Sequence, residues 1–66
     1  MEIILNGNKY NLEEGSSVAA LVAELKLDGR KIAVEKNLEI VSRSHYATEE
    51  IQGGDRIEIV NFIGGG

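Results

Sequence analysis

Residues 2–14 alternate between hydrophobic and polar positions in a pattern that predicts a β-hairpin. In EIILNGNKYNLEE, Ile3 and Leu5 fall on one side of a strand, and the alternation resumes at Tyr10. Asn6-Gly7 interrupts it, and this residue pair tolerates the positive φ angles that two-residue hairpin turns require. We therefore expect strands one and two to be joined by a tight turn.

The next segment changes to a helical period. Its apolar side chains follow the spacing i, i+3, i+4 and i+7 of one helix face: Val18, Leu21, Val22 and Leu25. Ser16 or Ser17 is suited to cap the first turn, and Gly29 is placed to end the helix in a left-handed conformation. The sequence predicts one helix of about three turns here.

Three further short strands follow the helix. The apolar runs of strands three and four are separated by a turn at Lys36-Asn37, and Ser44 is expected to cap one helical turn through Tyr46. A tight turn at Gly53-Gly54-Asp55 precedes the last strand, RIEIVNF. One helix against one sheet of about five strands predicts a two-layer α+β domain over residues 1–62, followed by a flexible glycine tail at residues 63–66.

Alternation in the last strand predicts a second, exposed sheet face. If Ile57 and Ile59 point to the core, Val60 and Phe62 point to the side that the helix does not cover. Scattered surface hydrophobics are common and would by themselves explain Ile4 on the same side, whereas an exposed aromatic beside a flexible end favours partner docking. The predicted partner-binding residues are Ile4, Val60, Phe62 and Ile63.

Size and charge narrow the possible partners. A chain of 66 residues is near the lower limit for a domain that folds alone. Its net charge of −4 argues against nucleic acid, and the pairs Glu13-Glu14 and Glu49-Glu50 are expected to be solvated surface acids that steer basic partners. The N-terminal segment MEIILNGNKY carries an acidic residue where a signal peptide has basic ones, and the apolar runs are too short to span a membrane. We therefore expect the protein to be cytoplasmic.

Side-chain catalysis is not expected from this composition. There is no cysteine, His45 is the sole histidine, and no phosphate-binding loop or metal-ligand spacing is present, so we predict neither catalytic nor metal-binding residues. The remaining reactive group is the terminal carboxylate, with a pKa of about 3.5 and little reactivity by itself. A partner that adenylates it with ATP would make it an electrophile, and glycines, which lack Cβ atoms, would let it enter a narrow channel.

The chain resembles a known family over essentially its whole length. The segment GGDRIEIVNFIGGG, the upstream IVSRS and the terminal Gly65-Gly66 are similar to ubiquitin-like β-grasp sulfur carriers, and most of all to the ThiS family of thiazole biosynthesis. The resemblance implies a mixed sheet covered on one face by the helix. It also implies that Gly66 is the acyl site and Gly65 its slender approach, while Gly64 exceeds the minimal pair.

The same resemblance implies a set of partners and no cofactor bound to this chain. An E1-like adenylyltransferase of the ThiF type would use ATP and magnesium to adenylate Gly66, and a cysteine desulfurase or related donor would supply sulfur. The resulting thiocarboxylate would deliver sulfur to a thiazole synthase of the ThiG type. The protein would therefore be a stoichiometric carrier and not an enzyme.

Three alternatives remain open from the sequence. The small subunit of molybdopterin synthase also ends in diglycine, although its relatives are longer in the middle. A ubiquitin-like protein modifier would share the chemistry up to the adenylate. A plain interaction domain would use only the Ile4, Val60 and Phe62 face, and one alanine added after Gly66 would separate it from the others, because the extension blocks the carboxylate and leaves the face intact.

Overall fold

The computed structural model describes residues 1–62, which form five strands, one α-helix and two 3-10 helices. In chain order the strands and the helix are β1 (Glu2–Leu5), β2 (Asn8–Asn11), α1 (Val18–Glu24), β3 (Ile32–Lys36), β4 (Glu39–Val41) and β5 (Arg56–Asn61). The 3-10 helices span Gly29–Lys31 and Arg43–His45. The predicted flexible tail, residues 63–66, lies outside the described residues.

The strands form one mixed sheet in the order β2-β1-β5-β3-β4. β1 and β5 are parallel, and the other neighbours are antiparallel. Helix α1 buries Val18, Leu21 and Val22 against the sheet side that carries Ile3 and Ile57. Strand β5, which leads to the end of the chain, therefore lies in the middle of the sheet, and the predicted two-layer α+β arrangement is confirmed.

The first hairpin has the predicted turn. Ile3 pairs with Tyr10 and Leu5 with Asn8, so two residues connect the strands. Asn6 and Gly7 have φ angles of 49° and 84°. Positive φ at both turn residues matches the right-handed twist of the strands, which explains the Asn-Gly pair.

Helix α1 begins as predicted and ends earlier. The Ser17 hydroxyl accepts a hydrogen bond from the backbone N–H of Ala20 at 3.1 Å. Lys26 has a φ of 59°, and the N–H of Leu27 donates to the carbonyl of Val22 at 3.1 Å, as in a Schellman motif. The prediction that Gly29 ends the helix is wrong, because Lys26 takes the left-handed position three residues earlier.

The turn between β3 and β4 lies one residue later than predicted. It consists of Asn37 and Leu38, with φ angles of 52° and 70°, and Lys36 is the last residue of β3. The Asn37 side chain holds the turn, because its Oδ1 accepts from the N–H of Arg56 at 2.9 Å and its Nδ2 donates to Asp55 at 3.0 Å. Leu38 is consequently a turn residue with its side chain 78% exposed.

Two other local predictions need correction. Glu49 is not a freely solvated acid, because its Oε2 lies 2.7 Å from Nζ of Lys36 in an ion pair between β3 and the preceding loop of β5. The helical turn before Tyr46 begins after Ser42 and not at Ser44, and the Ser42 hydroxyl lies 2.9 Å from Nδ1 of His45. The ion pair joins two segments that are far apart in the sequence. The Ser42–His45 contact lies in a segment without a regular hydrophobic period, where the start of a helical turn is hard to predict.

Candidate functional site

The central strand β5 positions the candidate site. β1 and β3 flank it, and its alternation buries Ile57 and Ile59 on the helix side. The backbone N–H of Phe62 donates to the carbonyl of Lys31 at 3.1 Å, so the chain is still held one residue beyond the strand. The residue before the predicted tail is thus anchored just beyond the end of the central strand.

The sheet face opposite the helix, here called the open face, contains an apolar groove. Val60 and Ile40 are 57% and 79% exposed in it. Val60 lies across from Ala33, and Ile40 lies across from Glu35. The groove has a volume of about 410 Å³ and is lined by Ala33, Glu35, Leu38, Ile40, Arg56, Glu58 and Val60. Large exposed apolar side chains beside one another are typical of a docking surface.

Phe62 lies in a neighbouring depression. Its side chain is 58% exposed and lines a space of about 350 Å³ together with Tyr46 and Arg30. Ala33 and Ile40 line both this space and the apolar groove, so the two are adjacent. The exposed aromatic ring therefore extends the apolar surface toward the end of the chain.

The structure places the predicted partner-binding residues unequally. Val60 lines the groove and Phe62 the adjoining depression, whereas half-buried Ile4 lies in a row with Lys9 and Arg56 and lines neither. Ile63, Gly64, Gly65 and Gly66 lie outside the described residues. The open face predicted from alternation in β5 is present, and its apolar centre is on the β3–β4 side.

Sequence reasoning missed Leu38 and Ile40, which are the two most exposed large hydrophobic residues among those described. Ile40 could have been found, because burying Val41 turns its neighbour in the strand to the opposite face. Leu38 carried no such signal. Leu38 is exposed because it is a turn residue in the left-handed conformation, which leucine rarely adopts.

One ion pair lies beside the Phe62 depression, and one side-chain hydrogen bond joins β2 to the helix. Arg30 binds Asp28 through a hydrogen bond of 2.9 Å, and this contact, together with the Arg30 backbone N–H, lowers the pKa of Asp28 to about 2. The guanidinium at the edge of the Phe62 depression is therefore already paired. At the opposite edge of the sheet, where β2 lies, the hydrogen bond from the Tyr10 hydroxyl to Glu24 raises the pKa of Tyr10.

Residues 1–62 bring together no group of three or more histidine, aspartate or glutamate side chains able to hold a metal ion. The same described part of the chain has no helix that is both long and apolar enough to cross a membrane. The single histidine, His45, is exposed and bonded to Ser42.

Nearly the whole amino-acid sequence matches a known protein family. The model of the ThiS family fits residues 3–66. The chain belongs to the ThiS family. The family that the sequence resembles is therefore confirmed, and the match extends through the glycines that follow the anchored end of β5.

Similar proteins agree with this assignment. The sulfur carrier protein ThiS of Bacillus subtilis is 38% identical over 64 residues, which are 94% of this chain and 96% of that protein. A crystal structure of thiamine biosynthesis protein ThiS from Geobacter metallireducens superposes with a TM-score of 0.87 at 29% identity, covering all of both chains. The ubiquitin-like β-grasp fold that the resemblance implied is therefore confirmed for this ThiS-family chain.

A longer protein is also similar. The thiazole synthase of Paramagnetospirillum magneticum is 50% identical over 66 residues. This stretch is the whole of the present chain and 20% of that synthase, so the chain spans one fifth of the length of this relative. A ThiS-like segment there belongs to the same polypeptide as a thiazole synthase.

Proposed function

We propose that this protein is a sulfur carrier of thiamine biosynthesis and that the carboxylate of Gly66 is its acyl site. The observation that supports the proposal is the ThiS-family match, which runs from residue 3 through Gly66 and so includes both the anchored strand β5 and the glycines. The β-grasp body is the part that partners recognise, and the glycines are the part on which they act.

The first step activates the carboxylate. An oxygen of the Gly66 carboxylate attacks the α-phosphorus of ATP, the bond to pyrophosphate breaks, and an acyl adenylate forms. An E1-like adenylyltransferase of the ThiF type performs this step with Mg²⁺, which offsets the negative charge of the phosphates. The carrier supplies only the acyl group, so ATP and Mg²⁺ are bound by the partner.

The second step introduces sulfur. The terminal sulfur of a persulfide on a cysteine desulfurase or related donor attacks the acyl carbon and AMP leaves, so that an acyl disulfide joins Gly66 to the donor cysteine. A thiol then reduces the sulfur–sulfur bond, which releases the thiocarboxylate of Gly66 and leaves the donor thiol as a disulfide with the reductant. The carrier thus exchanges one terminal oxygen for one sulfur.

Glycine suits this position for a physical reason. Without a Cβ the backbone approaches a neighbouring surface closely and adopts conformations closed to other residues. Four residues after Phe62 span at most about 13 Å when extended. A partner therefore docks the body on the open face and still receives the acyl carbon in a channel beyond it.

Thiazole synthase is the proposed acceptor of the sulfur. This proposal is supported by the Paramagnetospirillum magneticum synthase, in which a segment 50% identical to this chain is part of the same polypeptide. A carrier must bind the synthase once for each sulfur atom that it delivers. Joining the two in one polypeptide raises the effective concentration of one for the other and so favours this encounter.

Intact mass measurement tests the proposal. The protein is incubated with ATP, Mg²⁺, the adenylyltransferase, the desulfurase, cysteine and a thiol reductant. We expect a gain in mass equal to the replacement of one oxygen by sulfur, confined to the C-terminal peptide. The matched control carries one additional alanine after Gly66 and should gain nothing. An unchanged wild-type mass, or an equal gain in the extended variant, would refute the acyl site.

The thiocarboxylated protein then distinguishes the pathways. Incubated with thiazole synthase and its other substrates, it should lose its sulfur stoichiometrically and return to the original mass. Transfer to the large subunit of molybdopterin synthase instead, or an isopeptide bond to a lysine, would assign the carrier to one of the alternative classes.

A further inference from the structure

The groove on the open face contains two carboxylates that lie directly opposite each other. In the antiparallel pair of β3 and β5, Glu35 is the partner of Glu58. On its other side Glu35 faces Ile40 of β4. Both glutamates are half-buried, whereas Ile40 and Val60 beside them are mostly exposed. The two glutamates are thus less exposed, as whole residues, than the two apolar residues beside them.

This arrangement is unfavourable in the free protein. Cβ atoms of directly opposed residues lie about 5 Å apart, and like charges on opposed residues destabilise a sheet. Three ion pairs occur within residues 1–62, and none of them includes Glu35 or Glu58. Lys36, the nearest lysine in β3, points to the other side of the sheet and binds Glu49. Arg56 also lines the groove, two residues before Glu58, but none of these ion pairs includes it. Within the described residues neither glutamate is therefore part of an ion pair.

The surroundings of the two glutamates indicate what would relieve them. Leu38, Ile40 and Val60 supply apolar side chains to the same groove as the two glutamates. A guanidinium is planar, weakly hydrated and able to donate to two carboxylates at once, so it tolerates apolar surroundings better than an ammonium does. Arginine and apolar side chains are also the residues that interface centres favour.

From this geometry we infer that the groove recognises a partner protein through an arginine flanked by apolar side chains. The guanidinium lies between Glu35 and Glu58, and the flanking side chains cover Leu38, Ile40 and Val60. The inference rests on the proposed function in one respect, the choice of thiazole synthase as the partner that presents the arginine.

Other occupants fit the groove less well. A second copy docked about a two-fold axis through the groove would place the same glutamates against each other, because such an interface brings a patch to its own copy. The net charge of −4 adds to that repulsion. An anionic lipid surface or nucleic acid is disfavoured for the same reason.

The test uses Glu35→Gln, Glu58→Gln and the double variant of the full chain. Binding to the thiazole synthase is measured by surface plasmon resonance, and melting temperature is measured on the free protein. Each single variant should dissociate at least about tenfold faster, because a desolvated charge pair acts mainly on the dissociation rate. The same variants should melt about 1 to 5 °C higher than wild type, since one of two opposed charges is gone.

Glu39→Gln is the matched control. Glu39 is the exposed neighbour of Ile40 in β4, and its pairing with Lys36 places it on the helix side of the sheet. Glu39→Gln removes the same charge on the opposite side of the sheet and should leave dissociation unchanged. Equal effects in the control would reduce the result to net charge and overturn the inference.

Every other outcome is also decisive. Unchanged dissociation in the double variant would overturn the arginine contact, and so would a wild-type protein that does not bind the synthase or that forms dimers through the groove. The mass gain at Gly66 is measured separately, so a failure of the sulfur-carrier function is seen independently of a failure of this contact.

Discussion

The side-chain Oδ1 of Asn6 accepts a hydrogen bond of 2.8 Å from the backbone N–H of Ile59, 53 positions further along the chain. β1 ends at Leu5 and β5 continues to Asn61, so part of β5 has no strand backbone on that side. The Asn6 side chain substitutes for the missing strand. The turn residue of the first hairpin thereby helps to hold the strand that leads to the proposed acyl site, Gly66.

Replacing Asn6 should destabilise the fold in two separable ways. Asn6→Ala removes the hydrogen bond to Ile59 and puts alanine, which tolerates the left-handed region poorly, at a φ of 49°. We expect the free energy of unfolding to fall by about 2 to 3 kcal/mol. Asn6→Gly keeps the turn and loses only the bond, which should cost about 1 kcal/mol. Urea denaturation measures both.

Asn8→Ala is the control for this pair. The Asn8 side chain is exposed and makes only a 3.4 Å contact with the carbonyl of Asn6. Its removal should change the free energy of unfolding by less than about 0.5 kcal/mol. If Asn6→Ala were no more damaging than Asn8→Ala, the side chain would not be supporting β5.

Lys36 should support the loop before β5. Its Nζ lies 2.7 Å from Oε2 of Glu49 and 3.2 Å from the carbonyl of Glu50. We expect Lys36→Met to lower the free energy of unfolding by roughly 0.5 to 1 kcal/mol at neutral pH, a modest value because solvent reaches both charged groups. Chemical denaturation at low and high salt measures it, with the smaller effect at high salt.

The same pair predicts a direction with pH. The hydrogen bond to Glu49 raises the pKa of Lys36 above its ordinary value of 10.5. The stabilisation is therefore complete below pH 10.5 and is lost as the pH rises through the higher pKa of the folded protein. A Lys36→Met protein whose stability declined equally over that alkaline range would contradict the assignment.

Asp28 should titrate well below an ordinary aspartate. The side chain and the backbone N–H of Arg30 lower its pKa from 3.8 to about 2. The stabilisation from this pair is present above pH 3.8 and is lost as the pH falls through about 2. Carboxyl carbon shifts followed by NMR should show that midpoint in the wild type.

Arg30→Ala provides the comparison, because it removes the guanidinium and keeps the backbone N–H of residue 30. The pKa of Asp28 should then rise toward 3.8 without reaching it. A midpoint near 3.8 in the wild type would mean that the ion pair does not form in solution.

Phe62→Ala should weaken partner binding more than stability. The ring is 58% exposed, so its removal leaves the core intact and should lower the melting temperature by less than about 3 °C. Binding to thiazole synthase should weaken about tenfold, because exposed aromatics supply much of the energy of an interface. Leu27→Ala, on the loop after α1, should leave binding unchanged. A large loss of stability with wild-type affinity would place the ring in the core.

Much of the fold was accessible from local patterns. The Asn6-Gly7 turn and the inward Ile57 and Ile59 were predicted correctly, because each depends on neighbours in the sequence. The helix cap was narrowed to Ser16 or Ser17, and the structure selects Ser17. Gly29 was the wrong end of α1, since a lysine accepted the left-handed position that glycine usually occupies. The ion pair between Lys36 and Glu49 could not be predicted, because the two residues are far apart in the sequence.

The open face shows the same division. Val60 was predicted to lie on it by alternation alone, whereas its neighbours across the sheet depended on a strand order that places β5 between β1 and β3. That order brings Glu35 between Glu58 on one side and Ile40 on the other. The predicted tail at residues 63–66 and the cytoplasmic location stay predictions.

The amino-acid sequence by itself determined the elements, their buried sides and the glycines that point to acyl chemistry, because hydrophobic period, turn residues and caps act between close neighbours. Only the tertiary structure decided which strands became neighbours, which acids were paired and which were left facing each other. Those relations depend on strand pairing between residues far apart in the chain, where the free energy of the whole core selects the register.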